Sequence, residues 1–156
     1  MFNTPNFEEY ARHVIEFYRG KPVVLQPFDY PMPTTAQILV GGNQPVSVKV
    51  AGNADFWLYG IDFFTGSGNT SLYGQFFDSG SQEIIALSAN LNNRVVASEF
   101  ARFVNAAGDP NFGGLLPLPR RIASNSTATI TWSSAGPFDV DPVYSTLRGV
   151  LAFPQG

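Results

Sequence analysis

The chain has 156 residues, no cysteine, one histidine and a net charge of -3. That length is enough for one domain with its own core, and the missing cysteines exclude disulfides and thiolate chemistry. Mild acidity, with no basic cluster larger than the pair Arg120-Arg121, argues against a nucleic-acid-binding surface.

Charged residues make up only 13% of the chain, while aromatics reach 14%. Globular proteins carry about 25% charged residues. The surface is therefore covered by Ser, Thr, Asn, Gln and Gly, or much of it faces other protein. No run of apolar residues is long enough to span a bilayer, and the start, Asn3-Thr4-Pro5-Asn6, is polar. Neither a membrane span nor a secretory signal is expected.

Residues 4–19 predict a helix. Asn6 with Glu9 fits a capping box, Thr4 can cap ahead of Pro5, and Glu8 and Glu9 stand in the first turn. Phe7, Tyr10, Ala11, Val14, Phe17 and Tyr18 recur at three- and four-residue spacing, an aromatic-rich face that must be buried against something, and Gly20 marks the stop.

Residues 21–35 carry Pro22, Pro27, Pro31 and Pro33, which forbid regular helix and favour extended backbone. They read as a semi-rigid arm that carries the helix to a neighbour, or that folds back so that the helix packs on its own domain.

From residue 36 short apolar runs alternate with turn residues. Strands are expected at 36–40, 45–51, 54–64, 71–77, 83–88, 115–118, 127–132 and 144–153, and at 94–103 either a strand or a short helix. Turn chemistry separates them, as in Gly41-Gly42-Asn43, Gly52-Asn53 and Ala135-Gly136-Pro137. Such spacing predicts a mainly β fold, an antiparallel β-sandwich over 36–156, with helix 1–20 and Pro-rich arm 21–35 attached. Val46, Val48 and Val50 against Ser47 and Lys49 give the cleanest alternation, matched by Ala128, Ile130 and Trp132 against Thr127, Thr129 and Thr131. Gly60, Gly74 and Gly149, inside strands, mark bulges, bends or close backbone contacts.

No constellation of residues nominates catalysis. His13 stands alone on the helix, so triads and ordinary zinc sites lack members. Asp139-Val140-Asp141 and Asp109-Pro110-Asn111 carry oxygen donors but read as turn residues. Asp55 and Asp62 are expected on opposite faces of one strand, which does not make a hydrolytic pair. The aromatic run Phe56, Trp57, Tyr59, Phe63, Phe64, Tyr73, Phe76 and Phe77 divides between the two faces of its strands. One set fills the core, and the other is expected at a contact between subunits.

Three stretches carry a resemblance: Asn53-Ala54-Asp55-Phe56-Trp57-Leu58-Tyr59-Gly60, then Leu116-Pro117-Leu118-Pro119-Arg120-Arg121-Ile122-Ala123-Ser124-Asn125-Ser126 with the Thr-rich strand after it, and the ending Leu147-Arg148-Gly149-Val150-Leu151-Ala152-Phe153. Together they resemble the jelly-roll decoration or cement proteins of tailed bacteriophages, auxiliary components of the capsid. The resemblance covers residues 36–153. It implies a jelly roll on the outer surface of a virion, a homotrimer in contact with the major capsid protein, with no catalysis and no cofactor.

The expected function is thus non-enzymatic stabilisation of a capsid, without nucleic-acid or membrane partners. Phe7, Tyr10, Val14, Phe17 and Tyr18 on the helix, with Tyr30 and Met32 on the arm, are the expected partner contacts. The competing expectation is a receptor- or carbohydrate-binding module of a phage tail or neck that stacks sugars on exposed Trp57, Tyr59 or Tyr73.

Overall fold

The computed structural model describes residues 7–65, 71–78, 83–90 and 114–155. Its elements are helix α1 (Phe7–Phe17) and strands β1 (Val23–Pro33), β2 (Asn43–Lys49), β3 (Asp55–Phe64), β4 (Ser71–Phe77), β5 (Glu83–Asn90), β6 (Gly114–Ile122), β7 (Thr127–Gly136) and β8 (Tyr144–Pro154). Two antiparallel sheets form, ordered β1-β8-β3-β6 and β2-β7-β4-β5. First strand pairs with last, second with seventh, third with sixth and fourth with fifth, which is jelly-roll connectivity. The protein is an antiparallel β-sandwich with an N-terminal helix.

Strand parity builds the core. On β8, Leu147 and Leu151 point between the sheets while Val150 and Ala152 point out. On β7, Ala128, Ile130 and Trp132 point in and the threonines between them point out. Phe56, Leu58, Leu72, Phe76 and Ile122 complete an interior of fully or almost fully buried side chains. Each large apolar side chain buried there contributes roughly 1.5–3 kcal/mol.

The Pro-rich arm is corrected by the structure: its residues form β1, an edge strand paired along its whole length with β8. Even-numbered residues face β8, as the bonds from Thr34 N–H to the Val143 carbonyl (2.9 Å) and from Gln155 N–H to the Pro22 carbonyl (2.8 Å) show. Pro27, Pro31 and Pro33 are all odd, so each missing N–H falls on the open edge and costs the ladder nothing. Tyr30 and Met32, expected to grip a partner, are even, point inward and are buried in the sandwich core.

The strand expected at 36–40 is reduced to single bridges, Ile38 to Val140 and Val40 to Ser134. This segment crosses from one sheet to the other, so it cannot stay in either ladder. The Gly41 backbone at φ 77° then turns it into β2. The segment 94–103, and the capping residues Thr4, Pro5 and Asn6, lie outside the described residues.

A bulge in β3 corrects a second expectation. Leu58 stands opposite Gly149 and Gly60 opposite Arg148, so Tyr59 and Gly60 share one step of β8. Parity reverses there, and Asp55 and Asp62 come to the same outer face. Along β8 they align with Ala152 and Thr146, about 20 Å apart at strand spacing, too far for a carboxylate pair.

Candidate functional site

Helix α1 lies across the outer face of the β1-β8-β3-β6 sheet. Tyr10 and Val14 are buried there against Trp57, Tyr59, Val150 and Ala152, with Tyr18, Val23 and Leu25 at the margin. The expectation that the outer aromatics meet another subunit is therefore corrected: Trp57 and Tyr59 are covered by the chain's own helix. The amphipathic pattern of α1 meets the odd residues of β1 and β3 and the even residues of β8, and both patterns are satisfied within one chain. Tyr10 and Tyr59 meet edge to face at 4.9 Å, and the Tyr10 hydroxyl donates to the Leu116 carbonyl on β6. Burial pushes both phenols above their ordinary pKa, and for Tyr59 a charge on Tyr10 would add to the rise.

The C-terminal end of the helix is held by a polar cluster. Tyr18 Oη donates to Asp55 Oδ2 (2.7 Å) and accepts from Trp57 Nε1 (3.0 Å). Arg121 Nε donates to Asp55 Oδ2 (3.1 Å), and Ser124 N–H donates to Asp55 Oδ1 (2.9 Å). The Arg121 guanidinium also sits over the Phe17 ring, 4.8 Å from its centroid. Desolvation pushes the Asp55 carboxyl up, but the donors Tyr18, Ser124 and Arg121 outweigh it and hold the group below its ordinary pKa. Tyr18 is pushed up to about 12, first by burial, against the Trp57 hydrogen bond and with the Asp55 carboxylate adding to the rise. This cluster latches α1 and β6 to β3. His13 packs edge-on to Trp57 at 5.9 Å, a packing role.

Farther along the same face, Arg148 Nη1 meets Asp62 at 2.9 Å and its Nε lies 3.9 Å from Asp29. All three side chains are well exposed, so Arg148→Ala is expected to cost less than about 1 kcal/mol in a urea melt.

Of the seven expected partner contacts, Tyr10, Val14, Tyr30 and Met32 are buried in this chain's own packing, Tyr18 is half-buried, and Phe7 and Phe17 remain exposed. Of the sugar-stacking candidates only Tyr73 is open to solvent, 44% exposed on β4. Asp139 accepts from Val40 N–H (2.9 Å) and Asp141 from Gln37 Nε2 (3.3 Å), so both tie the 137–143 loop to the 36–42 segment. Asp109-Pro110-Asn111 lies outside the described residues.

Sequence reading missed the loop end of the sandwich. Leu39, Val40, Phe138 and Tyr144 are 57%, 46%, 58% and 58% exposed. The first three stand on the two segments bridged through Ile38 and Val140, and Tyr144 begins β8 beside Pro33 and Phe64. Four large apolar side chains gather at one end of a chain with few charges. Leu39 and Val40 were legible only as parts of an expected strand, and Phe138 falls between the turn stretches 135–137 and 139–141.

No protein-family model and no curated protein matches this sequence. Among solved structures, the chain is similar to the exo-β-1,3-galactanase Pc1,3Gal43A of Phanerochaete chrysosporium, with 13% identity and a TM-score of 0.33 over 77% of this chain and 29% of that one. It is also similar to infectious bursal disease virus, in the Gx strain with 14% identity and a TM-score of 0.33 over 86% of this chain and 32% of that chain, and in the Gt strain with 13%, 0.30, 86% and 33%. The chain spans about a third of the length of each. These likenesses are distant, and the jelly roll is defined by the strand pairing itself.

Proposed function

We propose that this protein is a virion structural component that binds the outer surface of a phage capsid and stabilises it, with the major capsid protein as its partner. The observation that carries the reading is the apolar loop end formed by Leu39, Val40, Phe138 and Tyr144. Exposed apolar side chains gathered on a surface with little charge suit a protein contact that excludes water at its centre. Phe7 and Phe17 on α1 offer a second, smaller contact. The jelly roll and the sequence resemblance over 36–153 support a place in a virion shell. Sugar stacking has less support, because Trp57 and Tyr59 are under the helix.

The test is co-sedimentation of purified protein with particles of the phage that encodes it. Leu39→Asp combined with Phe138→Asp is expected to weaken binding tenfold or more, about 1.4 kcal/mol or above, while the melting curve stays near that of the parent. Undiminished binding by this double variant would overturn the assignment of the loop end.

A further inference from the structure

Among the described residues the sandwich has four edge strands, and they are not treated alike. On β1, Pro27, Pro31 and Pro33 fall on the open edge. On β2, the bond from Val50 N–H to the Ser126 carbonyl (2.9 Å) continues the β2-β7 register and turns even residues toward β7, so Pro45 also faces outward. On β6, Pro117 and Pro119 fall between Leu115 and Arg120, where β3 supplies no partner. Proline at an edge removes the donors that another strand would use. The fourth edge, β5, reads Glu-Ile-Ile-Ala-Leu-Ser-Ala-Asn from Glu83 to Asn90 and has neither proline nor glycine. Among the described residues no strand lies beyond it.

We infer that the open edge of β5 pairs with β5 of a second copy of this chain, joining two β2-β7-β4-β5 sheets across a two-fold axis. Register defines the geometry. Even residues of β7 bond β2, so odd residues of β7 bond β4; through the β4-β7 and β4-β5 registers, odd residues of β5 bond β4 in turn. Ala86 and Ser88 then present their N–H and C=O groups outward, while Ile84 is the extra residue of a bulge, since Phe76 stands opposite Ile85 and Phe77 opposite Glu83. A two-fold axis makes identical strands antiparallel, which continues the order of the sheet. Centred on Leu87, it sets Ala86 opposite Ser88 of the copy and forms roughly four backbone hydrogen bonds.

Charge favours the same arrangement. Glu83 is the one charged residue of β5 and stands at its start, so antiparallel pairing places the two carboxylates at opposite ends, whereas parallel pairing would set them side by side. A β-prone segment with one charge, at its first residue, and no proline is also the kind of edge that pairs readily with another strand. The inference refines the self-assembly expected from the resemblance, replacing its three-fold arrangement with a two-fold one. It does not depend on which shell the protein binds, since the pairing forms without particles.

The experiment uses the full chain alone. Light scattering on a size-exclusion column is expected to give twice the 17.0 kDa chain mass. Amide exchange followed by NMR is expected to be slow at Ala86 and Ser88. Ala86→Pro removes an outward N–H, as the prolines of β1 do, and is expected to raise the dimer dissociation constant roughly tenfold or more with the far-ultraviolet β signal retained. A monomer at all concentrations, fast exchange at these two amides, or a folded Ala86→Pro variant that dimerises as before overturns the pairing. Where Ala86→Pro does not fold, the exchange pattern of the unsubstituted protein decides.

Discussion

Gly149→Ala is expected to cost at least about 3 kcal/mol in a urea or thermal melt, an upper-range overpacking effect from the addition of one methyl group. Gly149 sits in the central strand β8 opposite Leu58, where β3 begins its bulge. A methyl there would run into the carbonyl oxygen of Trp57 and lie 3.0 Å from Cζ of the Phe56 ring. A flexible side-chain tip can swing away from such a clash, but a backbone oxygen in the neighbouring strand cannot. The two strands would have to separate beneath the helix and above Phe56, disturbing both packed layers together. Gly20→Ala gives a contrast: a methyl there meets nothing within 4 Å, so only its backbone at φ 82° resists, and the cost is expected near 1 kcal/mol. Equal melts for the two variants would refute the close-contact argument.

Gly149 also indicates where the sequence was informative. Glycine inside a strand signals close backbone approach or a bulge, and the structure supplies both, at Gly149 and at Gly60. Alternation placed β2 and β7 because each keeps one parity against one core. It did not find β1, since proline density argues against a strand until one knows that Pro27, Pro31 and Pro33 share the open side of an edge. That knowledge comes only from pairing with β8, more than a hundred residues away. The faces of Asp55 and Asp62 were misread for a related reason: the bulge that reverses parity at Tyr59-Gly60 is a property of two strands and leaves only a glycine as its trace.

The helix was legible, but its docking surface was not. The aromatic face of α1 demands burial, and the sequence offers two ways to supply it, a neighbour or the chain's own sheet. Trp57 and Tyr59 decide between them, because their outward parity leaves an apolar strip that Tyr10 and Val14 fill. Arg121 was legible only as half of the basic pair Arg120-Arg121, and its partner Asp55 lies 66 residues earlier in β3.

Asp55→Ala is expected to destabilise the protein by about 3 kcal/mol, the lower end of what removing one partner of a buried pair costs, because Arg121 remains 40% exposed. The loss strands the Tyr18 hydroxyl and the Ser124 N–H and frees the C-terminal end of α1. The acid limb has a definite sign. Asp55 is held below its ordinary pKa in the folded chain, so the unfolded chain takes up the proton first as pH falls. Its contribution is present in full above the ordinary carboxylate pKa, near pH 4, and is lost as pH drops through the lower, folded value. At the other extreme Tyr18 holds its proton to about 12, so the unfolded chain loses a proton first and stability falls between the ordinary phenol pKa, near 10, and that value.

Asp55→Ala should flatten the acid dependence and also shrink the alkaline loss, since without the carboxylate the folded Tyr18 phenol falls back toward its unfolded pKa. The two tryptophans separate undocking of the helix from unfolding. Trp57 Nε1 donates to Tyr18 within the latch, whereas Trp132 Nε1 is buried in the core with no hydrogen-bond partner among the described residues. In a nitrogen-proton spectrum of Asp55→Ala below its melting point, the Trp57 indole signal should move and that of Trp132 should stay in place. Movement of both signals together would show that the polar cluster holds the sandwich as a whole and is not a latch for the helix.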